Sequence, residues 1–333
     1  MEMHVAVIGA GSWGTTVAHL CAHNAATTLY SRREDVADAI NERQENPRYL
    51  EGYQLHPELR ASTDLADVVG RADLLVMGVA SSGFRETLQE LRPHLRPWVP
   101  VVSLAKGLEL GTRKRMTEVA EEELPGHPVG VLTGPNLAKE ILAGSAAAAV
   151  VAFDDLTIAE RLQQVFTSQL FRVYTGTDVV GCEVGGALKN IIALAAGMAD
   201  GLGTGDNTRA AVMTRGLAEL TRLGVAMGGE PSTFAGLAGM GDLLATCISP
   251  QSRNRYVGEQ LGRGRDLDEI IEEMNQVAEG VKTARMITEI ADEFDVYMPI
   301  AAEMHACVTE GRTAMEAYRG LVNLPAARES DAY

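Results

Sequence analysis

Apolar positions follow two different regimes along the chain. Through the first half, short apolar runs alternate with segments of helical period. His4–Ile8 predicts a buried strand and Trp13–Ala22 a helix; Thr27–Tyr30 and Val36–Glu42 repeat the pair. Leu74–Val79, Val99–Leu104 and Val129–Leu132 read as three further strands. Unbroken apolar runs separated by helical segments are the signature of parallel strands with crossover helices. The Ala/Val run Ala146–Phe153 predicts one more strand, pairing at the sheet edge, although alanine is a poor strand former.

From about Gly181 onward the strand signal stops. The remainder reads as helices broken by Gly and Pro, over Val184–Ala199, Thr208–Leu223, Asp242–Cys247, Asn254–Leu261, Leu267–Asn275, Thr283–Glu293 and Ala301–Thr309. The tail after Arg319 reads as irregular. The expected fold class is therefore α/β: a Rossmann-type doubly wound parallel sheet over residues 1–180, then an all-helical domain over 181–333.

Composition narrows the choice of partners. A chain of 333 residues suits two domains. Its formal net charge of -16 argues against nucleic acid or an anionic membrane surface as a partner, yet a few local cations can still hold a small anion. Only five lysines occur among the 29 basic residues, so each lysine position is informative. Cys21, Cys182, Cys247 and Cys307 show neither a CxxC pair nor zinc spacing, which predicts free thiols, no metal and a reducing, cytoplasmic setting. The N-terminus runs straight into a strand rather than a signal peptide. No apolar stretch of about eighteen residues is unbroken, so no membrane insertion is expected. Glu121–Glu123 reads as a solvated helix end.

Gly9-Ala10-Gly11-Ser12-Trp13-Gly14 is a GxGxxG placed between a strand and a helix. In that context Gly9 permits the tight turn, Gly11 lets a pyrophosphate approach the backbone, and Gly14 lets helix and strand pack closely. Helix-start N–H groups would then hold the phosphates. The second strand ends in Tyr30-Ser31-Arg32-Arg33, where an NAD enzyme would place an acid. Two guanidinium groups suit a 2′-phosphate, so NADPH is the expected cofactor. Glu34 and Asp35 leave NADH usable, and the alternative is that both arginines only decorate the next helix.

Within Val184–Ala199 the only polar side chains are Lys189 and Asn190. At helical spacing Lys189 shares a face with Gly185, Ile192 and Ala196, so the helix is apolar nearly all round and should be buried. A lysine there is either ion-paired or has its pKa lowered by desolvation, as an acid/base for an alcohol needs. Lys106 and Gly134-Pro135-Asn136 stand just past predicted strands, where ligands bind open α/β sheets. Asp242 and Thr246 share a helical face, and Ser252 could cap a helix, leaving Arg253, Asn254 and free N–H groups for an anion.

Together these segments resemble the bacterial type of NAD(P)-dependent glycerol-3-phosphate dehydrogenase. The matching pieces are Gly9–Thr15, Lys106-Gly107, Gly134-Pro135, Glu183–Asn190, Gly241–Thr246, Ser252–Asn254 and Val277–Val281, in order. The resemblance implies reversible reduction of dihydroxyacetone phosphate to sn-glycerol 3-phosphate, for glycerophospholipid synthesis, by a homodimer. It implies Lys189 as general acid/base, Lys106 and Asn190 orienting the carbonyl oxygen, and Asp242 tuning the lysines. It implies substrate contacts from Arg253, Asn254, Thr246, Gly134, Ser252 and Asn136. Cofactor contacts would come from Ser12, Trp13, Arg32, Arg33, Lys106, Ala138, Arg253, Val277 and Glu279; Trp13 reads equally well as core packing. Asn136 stands where the family commonly has Ser, and Ala80 where it has Pro. A dehydrogenase acting on a hydroxy acid, and a cofactor-binding sensor without turnover, are the competing readings.

Overall fold

The computed structural model describes residues 3–274, 278–325 and 328. The chain divides into two compact units, one of residues up to Glu109 with Lys114–Val179, the other of Leu110–Arg113 with Val180 onward.

The first unit is built on an eight-stranded sheet: β1 (His4–Ile8), β2 (Ala26–Tyr30), β3 (Arg60–Ser62), β4 (Leu74–Met77), β5 (Val101–Ser103), β6 (Val129–Thr133), β7 (Ala147–Phe153) and β8 (Phe171–Gly176). Their order is β3-β2-β1-β4-β5-β6-β7-β8. Every pairing is parallel except β6 with β7. Val5 and Val7 feed one apolar cluster while Ala6 and Ile8 feed another. Successive side chains on a strand face opposite ways, so the sheet is covered on both faces, and this is why β1 lacks polar alternation. Strand order reverses between β1 and β4. The carboxyl end of β1 therefore opens at a topological switch point, the usual ligand site of such sheets.

Three expectations need correction here. β7 is not the edge strand, because β8 pairs outside it. β8 escaped notice because its apolar residues alternate with polar ones: Phe171 and Val173 are buried, Arg172 and Tyr174 exposed. Glu121–Glu123 is not simply a solvated helix end. Arg85 ion-pairs with Glu122 and Glu123 at 2.8 and 2.6 Å and with Glu109 at 2.7 Å. These three carboxylates drive the Arg85 pKa upward through hydrogen bonds.

The second unit is helical, with no strand among its described residues. Its core is the helix Val179–Gly201. This helix is long and apolar enough to cross a membrane by length and composition, and 94% of its most apolar window is buried inside the fold. Glu183, Lys189 and Asn190 interrupt its apolar run. Asp206–Ala226 and Pro231–Phe234 follow, then a π-helical turn Leu237–Gly241 that leads into Asp242–Ile248. The remaining helices are Arg253–Gly262, Leu267–Glu273, Glu279–Glu293, Pro299–Thr309 and Ala314–Val322. The expected end of one helix at Asn275 lies outside the described residues. The last helix runs past Arg319, where irregular chain was expected; a reciprocal Thr313–Glu316 capping box starts it, and Ala314 and Ala317 bury its inner face.

Small residues set the helix spacing. A Cβ on Gly197 would collide with the Arg255 carbonyl, and one on Gly258 with the Leu194 carbonyl. Val179–Gly201 and Arg253–Gly262 thus touch backbone to backbone. Buried Glu219 accepts hydrogen bonds from the Ile300 and Ala301 N–H groups at 2.8 and 3.1 Å, capping Pro299–Thr309 from a neighbouring helix. Burial pushes its carboxyl up to about 7 against the lowering effect of those bonds.

Candidate functional site

In the first unit the glycine loop joins β1 to the helix Ser12–Cys21. Gly9 has φ 111°, and a Cβ on it would stand 2.7 Å from the Gly78 carbonyl oxygen. A Cβ on Gly14 would collide with the Gly9 carbonyl, so helix and loop need this glycine to pack. Gly11 differs from both: nothing lies within 4 Å of the Cβ it lacks. The open side of the loop is therefore at Gly11. The helix beginning at Ser12 has no side-chain cap, leaving its first N–H groups for a ligand.

Trp13 packs against Phe171, ring centres 6.2 Å apart, as part of the core. Its indole Nε1 is nonetheless buried without a hydrogen-bond partner. The Asn136 amide is in the same state at both nitrogen and oxygen. It lies just past β6, one residue before Leu137, the N-cap of the short helix Ala138–Leu142. Buried polar atoms cost free energy unless something bonds to them, so both side chains fit a ligand supplying the missing partners. Lys106, past the carboxyl end of β5, donates to the Gly134 carbonyl at 2.8 Å. Arg33 is engaged with Asp35 in a bidentate pair of 3.0 and 2.8 Å. Its neighbour Arg32 is exposed.

In the second unit the lysine face of the central helix is explained one turn at a time. Gly185 admits the π-helical turn, since a Cβ there would lie 2.8 Å from the Ala238 carbonyl oxygen. One turn on, Lys189 meets the residue that ends that turn: its Nζ donates to Asp242 Oδ1, and to Thr246 Oγ1 at 2.7 Å. Thr246 in turn donates to the Asp242 carbonyl at 2.6 Å. Its hydroxyl thus bridges the lysine and the Asp242 backbone. Of the two fates open to the lysine, the structure shows the ion pair. Asn190 Oδ1 accepts from Asn254 Nδ2 at 2.9 Å, and Asn254 Oδ1 accepts from the Gly280 N–H at 2.9 Å.

Ser252 caps the helix Arg253–Gly262, accepting from the Arg255 N–H at 3.2 Å. Arg253 follows at the first helical position with an exposed side chain, while packing around it lowers its guanidinium pKa. Glu279 opens the helix Glu279–Glu293. Val277 lies outside the described residues. Among the described residues no three His, Cys, Asp or Glu side chains are placed to hold a metal. The four cysteines are buried and unbridged.

Sequence reasoning missed Asn46, which is fully buried and bonded to the glycine loop. An asparagine before a proline reads as an ordinary turn residue, and no local signal marks it otherwise.

Comparison with known proteins gives these units a lineage. Residues 4–159 match the model of the NAD-dependent glycerol-3-phosphate dehydrogenase N-terminus, and residues 178–319 that of its C-terminus. A glycerol-3-phosphate dehydrogenase [NAD(P)+] of Sphingopyxis alaskensis is 59% identical over 322 residues, covering 97% of each chain. One from Mycobacterium avium is 56% identical over 322 residues, covering 96% of this chain and 94% of its own. The crystal structure of the Coxiella burnetii glycerol-3-phosphate dehydrogenase aligns with a TM-score of 0.92 at 34% identity, over 97% of this chain and 99% of that one. With both halves matched and this degree of identity, the chain belongs to the NAD-dependent glycerol-3-phosphate dehydrogenase family, oxidoreductases that act on a CH–OH group.

Proposed function

We propose that this enzyme reversibly reduces dihydroxyacetone phosphate to sn-glycerol 3-phosphate, with Lys189 as general acid/base and NADPH preferred over NADH. The observation that carries the reading is the Lys189 ammonium, buried in an apolar helix and aimed by Asp242 and Thr246.

Gly9, Gly11 and Gly14 shape the loop for a pyrophosphate, and the uncapped helix start beside Ser12 favours its charge. Trp13 and Ala138 would line the dinucleotide, with Glu279 and Arg253 as further contacts. Arg32 and Arg33 would hold a 2′-phosphate; Arg33 does so only by sharing its guanidinium with Asp35. When bound, the reduced nicotinamide supplies a hydride to the substrate's carbonyl carbon.

The chain's own residues do the rest. Lys189 gives a proton from Nζ to the carbonyl oxygen as it becomes an alcohol, and in the oxidative direction the neutral amine takes that proton back. Asp242 and Thr246 fix where Nζ points. Asn190, held by Asn254, and Lys106, held by Gly134, orient the oxygen. Arg253, at the positive end of its helix, takes the substrate phosphate. Asn136 and Ser252 would be further substrate contacts. The product is the phosphorylated glycerol that glycerophospholipid synthesis consumes, and the enzyme is assigned to the cytoplasm as a homodimer.

Initial rates with dihydroxyacetone phosphate and 2-ketopantoate, each with NADPH and NADH, and with 3-hydroxyisobutyrate in the oxidative direction with NADP+ and NAD+, test this. The ketone phosphate with NADPH should give the highest kcat/KM. A faster reaction with a carboxylate substrate overturns the substrate reading, cofactor binding without any turnover overturns the enzyme reading, and a higher kcat/KM with NADH overturns the cofactor preference.

A further inference from the structure

The stretch between the helix Glu34–Arg43 and β3 has no part in the chemistry above, yet it is anchored at several points. Leu50, Leu55 and Leu59 are buried, and the Leu55 N–H donates to the Gln44 carbonyl at 2.7 Å. At its head stands Asn46, with no exposed surface. Its Nδ2 donates to the Ala10 carbonyl and to Thr15 Oγ1, both at 2.9 Å. Its Oδ1 accepts from the Tyr49 N–H at 3.3 Å, and Ser12 Oγ donates to the Tyr49 carbonyl at 3.4 Å.

Ala10 is the residue between Gly9 and Gly11. The Ala10 carbonyl and the Gly11 N–H belong to one planar peptide, so fixing the first fixes the direction of the second. Flanking glycines leave that peptide with little conformational preference of its own. The Gly11 side is also where the loop is open. From this geometry we infer that Asn46 is a positioning residue for the cofactor: it locks the Ala10–Gly11 peptide so that the Gly11 N–H faces the pyrophosphate. Thr15, itself fully buried, takes the second amide hydrogen and keeps the asparagine from rotating. The inference rests on the glycine loop being the cofactor's phosphate site.

The test compares Asn46→Ala with the wild-type enzyme. KM and Kd for NADPH should rise about tenfold, with kcat at saturating cofactor and KM for dihydroxyacetone phosphate within about twofold of wild type. ADP-ribose should lose inhibitory affinity in parallel, whereas adenosine, which has no pyrophosphate, should not. Unchanged NADPH and ADP-ribose affinity overturns the assignment, as does equal weakening of ADP-ribose and adenosine, which reports a general distortion. If Asn46→Ala does not fold, Thr15→Val is read on the same assays. It should raise the ADP-ribose constant by about threefold while sparing adenosine, and a wild-type constant overturns the assignment. Wild-type protein that fails to bind ADP-ribose refutes the phosphate-site reading instead.

Discussion

Lys189 and Asp242 oppose one another inside the second unit with side chains only 6% and 2% exposed. A buried pair of this kind is costly to break from one side, because the partner left behind keeps its charge without compensation. Asp242→Ala is expected to cost about 3–5 kcal/mol of stability. The double variant Lys189→Met/Asp242→Leu should cost less than Asp242→Ala alone. Denaturant unfolding of the variants checks this, and additive losses would refute it.

Lys189→Met should lower kcat by about 10²–10⁴-fold, the usual contribution of a positioned general acid. NADPH affinity, measured by fluorescence titration, should stay close to wild type. Turnover within a few-fold of wild type in a folded variant would take Lys189 out of its assigned role.

Arg253→Ala removes the guanidinium assigned to the phosphate. Charge-assisted hydrogen bonds of about 1.5–3 kcal/mol correspond to a KM for dihydroxyacetone phosphate raised roughly 10- to 100-fold. Steady-state kinetics on the variant reads this directly, and an unchanged KM places the phosphate elsewhere.

Gly258→Ala places a methyl group against the Leu194 carbonyl. Overpacking of that kind costs about 1–3 kcal/mol. It should also disturb Asn254 one helical turn earlier, and with it the Asn254–Asn190 bond. A lower Tm together with a raised substrate KM is expected; a Tm equal to wild type would show that the helices can separate freely.

A buried glutamate and a half-buried histidine set opposing pH slopes. Glu219 titrates near 7 in the fold against an ordinary 4.5, so its contribution to stability is full below 4.5 and is lost as pH rises through 7. Burial, then His23 and His56, push His19 from 6.5 down to about 4, so its contribution is full above 6.5 and is lost as pH falls toward 4. Each shift is worth roughly 3 kcal/mol. Between 4.5 and 6.5 the two slopes oppose and partly cancel in the wild-type Tm. Glu219→Gln should leave Tm climbing with pH across that window, and His19→Asn should leave it falling. Parallel curves for all three proteins would refute both assignments.

Much of this was legible because the functional residues contradict their surroundings. Lys189 stands out in an apolar helix, and the glycine spacing after β1 carries its own geometry. The faces predicted for Gly185 and Lys189 are those the structure uses. What stayed hidden depended on long-range packing. The Asn190–Asn254–Gly280 bonds join residues 64 and 26 positions apart, which local spacing does not show. Asn46 reaches Ala10 across 36 positions of sequence, which no local pattern encodes. β8 mixes polar with apolar residues because its outer face meets solvent, and strand prediction by continuous apolar runs passes over it.

The apolar character of Val179–Gly201 also matters before the fold exists. The helices seen to touch it are encoded downstream, from Asp206 to Glu293. At a synthesis rate of about 5–20 residues per second, that greasy segment leaves the ribosome roughly ten seconds ahead of its cover. During that interval its apolar residues lack the partners that bury them in the fold. Slowing translation across the downstream helices would lengthen the exposure and increase the chain's dependence on holding chaperones.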